Sequence, residues 1–223
     1  MSFVEDLKRG MGVVFSPQDN AKKGMPVMKA LRFYYEFSLL PLVAFIIVGL
    51  LVAYFSGNIP AYATTLPLLY NPTFSIIGIV INAIVLFWIL APIGFFVSAA
   101  IYQLVGYNFL HAWKGDYTKT FSAVMFGELP IILFYWLVPI PILGIIALMV
   151  LAIWQIVVLV IALSNIQMIS RLAAIGAIFV SIALAIIVAM LLFSLFMAPL
   201  LALGNMQRFG AYNLNGTFVP MMH

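Results

Sequence analysis

Residues 74–110 read FSIIGIVINAIVLFWILAPIGFFVSAAIYQLVGYNFL, and how this tract is divided decides the fold. It runs for 37 residues without an Asp, Glu, Lys or Arg. As one straight α-helix it would be about 55 Å long, well beyond a hydrocarbon core of roughly 30 Å. Two spans would need a polar hairpin near Ala91-Pro92-Ile93-Gly94, and no polar residue stands there. The tract therefore reads as a single long span, kinked or tilted at Pro92 and Gly94 and running on past the lipid.

Working outward, charge is missing on both sides of this tract. Phe37 to Trp113 and Leu172 to Gln207 carry none, and between Lys119 and Arg171 the only charge is Glu128. Four more spans follow: Phe37–Phe55, Thr120–Val138, Ile142–Leu163 and Leu172–Leu203. The prediction is an all-α, polytopic integral membrane protein with five transmembrane helices. Composition agrees, since 66% of the 223 residues are hydrophobic and 7% charged. Soluble domains carry roughly 25% charged residues, so a soluble domain, a disordered chain and a nucleic-acid-binding protein are all excluded. The lipid bilayer is the first partner.

The basic residues orient the spans. Lys8, Arg9, Lys22, Lys23, Lys29, Arg32, Lys114, Lys119 and Arg171 fall in loops on the N-terminal side, against Arg208 on the other. The positive-inside rule then puts the N-terminus in the cytoplasm and the C-terminus outside, in the cell membrane. Three regions are expected: a cytoplasmic amphipathic segment over 1–36, a five-span domain over 37–203 and an outer tail over 204–223. The first carries ten charges and no uninterrupted apolar core, which argues against a cleavable signal peptide. Phe3, Val4, Leu7, Met11, Val14 and Phe15 fall at helical spacing until Ser16-Pro17. This predicts a short helix, either lying in the interface with its basic residues toward anionic headgroups or packed on the protein's own inner face.

Candidate chemistry is sparse. Glu128 is the one intramembrane charge, and a charge near the bilayer centre costs at least ~2.5–3.5 kcal/mol, so it demands a partner, a proton or a wet site. Counting from the ends of the spans places Glu128 and Gln155 at the same depth, about 12 Å in, so a hydrogen bond between them is geometrically open. Glu128 reads either as a proton or cation site or as a carboxyl that glues helices together. Ala173, Ala177, Ser181, Ala185 and Ala189 put a small residue at every fourth position of the fifth span. That stripe is a helix-packing seam, within the chain or between two copies. Asn215-Gly216-Thr217 is a glycosylation sequon in the expected outer tail. With no cysteine and two isolated histidines, no metal or cofactor ligand set and no catalytic constellation is expected.

Several anchors fall in a familiar order. Lys114-Gly115-Asp116-Tyr117-Thr118-Lys119-Thr120-Phe121-Ser122-Ala123 opens a span, followed by Phe126 and Pro130. Pro139 to Gly144 form a tight turn, then come Ile153-Trp154-Gln155-Ile156, Leu163-Ser164 and Ile169-Ser170-Arg171. With Phe3 to Leu7 and Phe15-Ser16-Pro17, this pattern resembles the Yip domain family, the Ypt/Rab-interacting membrane proteins, in its short prokaryotic form. The resemblance implies five spans, a cytoplasmic N-terminus and a non-enzymatic organiser or adaptor that forms homo-oligomers or meets other membrane proteins. The long cytosolic region linked with Rab binding in eukaryotic relatives has no counterpart in these residues. Glu128 also departs from the apolar or hydroxyl residue usual beside that proline. Two other readings stand beside this one: an accessory subunit of a larger membrane complex, and a small transporter or channel using Glu128.

Overall fold

The structure, a computed structural model, describes residues 3–56 and 72–209, with side chains described over 3–55, 78–191, 193 and 194. Helices account for nearly all of it, and no strand occurs among the described residues. The elements are α1 (Phe3–Phe15), α2 (Pro17–Asn20), α3 (Val27–Ser56), α4 (Pro72–Ile84), α5 (Ala91–Gln103), α6 (Tyr117–Phe134), α7 (Leu143–Gln167) and α8 (Arg171–Phe209). Five stretches are long and apolar enough to cross a membrane: Val27–Phe55, Gly78–Phe109, Tyr117–Leu137, Leu143–Gln167 and Arg171–Leu191. The chain is a multi-pass membrane protein of the five-span, all-α kind.

The long tract is one continuous helical path. A π-helical turn over Val85–Leu90 joins α4 to α5, and a second over Leu104–Phe109 ends the span. The first lies just before Pro92, which has no N–H to give to the carbonyls behind it. Within lipid such carbonyls need another donor. The Tyr34 hydroxyl donates to the Phe87 carbonyl, and the Tyr35 hydroxyl donates to the Trp88 carbonyl at 3.2 Å. Two tyrosines of the first span thus complete the backbone of the second where its proline interrupts it.

Helix ends run past the expected spans, most of all in α3. It starts at Val27 rather than Phe37, with Lys29, Arg32 and Glu36 inside its first turns. Charges mark where a helix leaves lipid and do not terminate it. Here Arg32 Nε donates to Glu36 Oε1 at 2.7 Å, an i,i+4 pair that suits a helix.

Residues 1–178 pack as one unit and 179–223 form a second. In the first, α6 is the central helix. About two-thirds of it is buried, against a third or less of each other span, and it is the least apolar of the five. A helix walled by protein meets little lipid, so it tolerates Thr120, Ser122 and Glu128. Phe33 of α3 meets Phe126 edge-on at 6.2 Å, and Phe96 of α5 meets Phe121 at 4.7 Å. Gly127 lets α7 come so close that a Cβ there would lie 2.9 Å from Leu159 Cβ. The opposite faces of the outer helices, such as Leu39, Val43 and Ile47 of α3 or Ile146, Met149 and Ile153 of α7, are open. In water such faces would drive aggregation, and in a bilayer they are the lipid contact.

The N-terminal helix packs on the bundle. Asp6, Gly10, Val13 and Val14 are its buried residues, and the Trp154 indole donates to the Val14 carbonyl at 2.8 Å. Arg9 departs from the expectation that the basic residues of α1 face headgroups. Its guanidinium lies 5.5 Å from the Phe126 ring centre and donates to the Lys23 carbonyl at 3.1 Å. Desolvation of Arg9 is offset there by the ring face and the carbonyl.

Asp6 is only 6% exposed and stands near the Glu36 carboxyl. Burial raises the Asp6 carboxyl above its usual value of 3.8, and the neighbouring Glu36 carboxyl pushes it the same way, opposed by Arg32. Packed Asp6 therefore holds its proton to higher pH than free Asp6. Its contribution to α1 docking is complete below the usual value and is lost as pH rises through the raised one. Amide exchange over residues 3–15 should accordingly speed up, relative to the rest of the bundle, as pH rises above about 4. Asp6→Asn should flatten that dependence.

Candidate functional site

Two turns beyond Thr120, the central position of α6 brings Glu128 to the meeting of the first three spans. Its side chain lines a cavity of about 260 Å³ whose walls include Tyr34 of α3, Phe87 and Phe95 of the second span, and Ile132 and Tyr135 of the third. Four aromatic rings thus surround one carboxyl. They brace one another: Tyr34 stands edge-on to Phe95 at 4.9 Å, and Phe87 edge-on to Tyr135 at 5.4 Å. The tyrosine and proline arrangement above also supplies one wall, because the π-helical turn swings Leu86, Phe87 and Leu90 toward the cavity.

Gln155 of α7 stands beside the Glu128 carboxyl, so the structure brings together these two residues. Among the described residues the two ion pairs are Lys22–Asp19 and Arg32–Glu36, neither of which involves Glu128. No group of three or more His, Asp or Glu is placed to hold a metal among those residues. The site is one carboxyl, one amide and an aromatic-walled space. It can hold a proton, accept a hydrogen bond or face a small cation over ring faces.

Glu128→Gln keeps a hydrogen-bonding group of the same size. It should leave the unfolding midpoint of the detergent-purified protein nearly unchanged. Glu128→Ala removes the polar neighbour of Gln155 and enlarges the cavity. A loss of about 1–3 kcal/mol is expected in the same unfolding measurement.

Along the small-residue stripe of α8, Ala173 is half-buried, Ala177 and Ser181 are buried, Ala185 is half-buried and Ala189 is exposed. Within the first unit, Ala174 and Ile178 share the buried face with Ala177. Asn215 lies outside the described residues.

A second polar cluster escaped sequence reasoning. Gln167, 1% exposed at the end of α7, accepts from the Gly115 N–H at 2.7 Å and donates to Thr120 Oγ1 at 2.8 Å. The Thr120 hydroxyl in turn donates to Gln103 Oε1, and Gln103 Nε2 reaches the Gly115 carbonyl at 3.3 Å. Asp116 caps α6 by accepting from the Lys119 N–H at 3.2 Å. One closed set of hydrogen bonds thus ties the ends of the second and fourth spans to the start of the third. The available signal was an amide near the end of each of two spans beside a Gly-Asp loop.

No family model, no curated protein and no solved structure matches the chain.

Proposed function

We propose that the chain is a non-enzymatic organiser or adaptor of the cell membrane, N-terminus in the cytoplasm, of the kind the Yip resemblance suggests. The observation that carries this reading is how the buried polar groups are used. Tyr34 and Tyr35 complete the second span, Gln103, Thr120 and Gln167 join three spans, and Trp154 holds α1. Such bonds hold helix to helix and fix one arrangement of the bundle. Lysines remain exposed at the end where Gly24 packs on Lys119, namely Lys22, Lys23, Lys114 and Lys119. A rigid body with a basic rim suits contact with proteins or anionic lipid.

Purification in mild detergent after in-membrane crosslinking tests the reading. Homo-oligomers or one or more specific co-purifying membrane proteins are expected. A chain that crosslinks to nothing would contradict it, and a fixed stoichiometric complex would assign it as an accessory subunit. The aromatic cavity at Glu128 favours a second reading, a small transporter or channel. Cation or proton flux into proteoliposomes that is abolished by Glu128→Gln would establish it instead.

A further inference from the structure

Helices α1 and α3 and the residues between α2 and α3 put several cations around one space. Arg9, Lys22, Lys23 and Lys29 line a cavity of about 550 Å³, with Asp19 the one acidic residue in its wall. Lys22 Nζ lies 3.2 Å from the Asp19 carboxylate, but both side chains are mostly exposed, and such pairs contribute little. Four cations against one acid leave the cavity wall with a net positive charge.

The loop that carries it is held in place. The Met25 N–H donates to Ser122 Oγ of the central helix at 2.9 Å, and Arg9 donates to the Lys23 carbonyl at 3.1 Å. Gly24 is pressed so closely on the bundle that a Cβ would lie 3.2 Å from Ile166 Cγ2. The lysine backbones are thus fixed by α1, α6 and α7 rather than free in solvent. Like charges held together cost free energy that a bound anion removes, and a preorganised cluster loses little entropy on binding one.

We infer that this cavity binds the phosphate-bearing headgroup of an anionic membrane lipid. Phosphate oxygens accept from several lysines at once, and basic pockets at the ends of membrane spans suit such headgroups. The lipid source is favoured by what adjoins the cavity. A second cavity, about 320 Å³, shares Met25 and Lys29 with the first and has Met28 and Phe33 in its wall, along with Asp6 and Arg32. Met28, at the start of the first span, is 77% exposed. A headgroup in the first cavity therefore has an apolar way out toward the bilayer. The inference gives the lipid contact of the adaptor reading a location. It is measured on the purified chain alone, so it stands or falls apart from any partner protein.

The test is native mass spectrometry of the purified full chain, titrated separately with phosphatidic acid, phosphatidylcholine and inorganic phosphate. Phosphatidic acid should bind the most tightly of the three. The combined Lys22→Gln, Lys23→Gln, Lys29→Gln variant should lose about tenfold or more of that affinity. An equal change of charge outside the cavity wall, Lys8→Gln, Lys114→Gln, Arg171→Gln, should lose less than about twofold, since none of the three lines the cavity and exposed charges are screened by salt. Asp19→Asn, which frees Lys22, should tighten binding. Equal losses in the two triple variants would overturn the site in favour of diffuse surface attraction. Phosphatidylcholine binding as well as phosphatidic acid would overturn the anionic headgroup. Inorganic phosphate binding as well as the lipid would overturn the lipid assignment and leave a free-phosphate site.

Discussion

Gly106→Ala should destabilise the bundle by about 3 kcal/mol or more, the upper end of what overpacking a core costs. A Cβ at Gly106 would lie 2.0 Å from Trp113 Cε2 and 2.1 Å from its Cδ2. The indole is 4% exposed and belongs to the core, so it has no free space to swing into. The backbone is equally committed. The Gly106 carbonyl accepts from the Ala112 N–H at 3.0 Å and the Trp113 N–H at 3.3 Å, closing the turn after the second span. His111 inside that turn holds φ at 49°, the left-handed region. Ring and backbone therefore resist together. Against a total stability of about 5–15 kcal/mol, such a loss should be plain in the unfolding midpoint. It should also appear as a red-shifted tryptophan emission as Trp113 is released. Gly94→Ala is the control, because nothing lies within 4 Å of the Cβ it would add. That variant should be neutral or gain up to about 1 kcal/mol from helix propensity. Equal stability of the two variants would show that Trp113 is not packed on Gly106.

Gln167→Leu should cost about 2–4 kcal/mol, because it leaves unmet hydrogen bonds behind rather than merely removing them. The Gly115 N–H loses its acceptor and Thr120 Oγ1 loses a donor, both in a site closed to water. Linked bonds of this kind strengthen one another, so the loss should exceed that of a lone pair. Thr120→Val cuts the same set at its other member. In a double-mutant cycle the two changes should couple by about 0.5–3 kcal/mol. Amide exchange should rise around Gly115 while the middle of α6 stays protected. Additive effects would mean that Gln167 and Thr120 act separately.

The spans were legible because lipid forbids charge, and Glu128 was legible for the same reason. What lipid does not see was harder to read. Arg32 and Glu36 looked like the end of membrane structure, yet they pair along α3 and the helix begins at Val27. A break in the regular α-helical bonding near Pro92 could be expected from the proline. The π-helical turn before it and the two tyrosine hydroxyls that complete it depend on how the first span packs on the second. Glu128 and Gln155 could be placed at one depth by counting residues. The cavity beside them could not, since its volume is set by the mutual angles of Tyr34, Phe87, Phe95 and Tyr135. Gln103, Thr120 and Gln167 look like ordinary polar residues at span ends. Only tertiary structure turns them inward. Arg9 likewise has the sequence context of a headgroup contact, and its place over Phe126 comes from the loop that folds Lys23 back to it.

The five-span path itself is tested most directly by accessibility from the two sides of the membrane. The chain has no cysteine, so single cysteines can be placed at Lys22, Lys114 and Asn215 and challenged with a membrane-impermeant maleimide in intact cells and after permeabilisation. Lys22 and Lys114 are separated by two spans and should label from the same side. Asn215 lies beyond an odd number of spans from either and should label from the opposite side. With the N-terminus in the cytoplasm, Asn215 alone should react in intact cells. Labelling of all three positions from one side would contradict five spans.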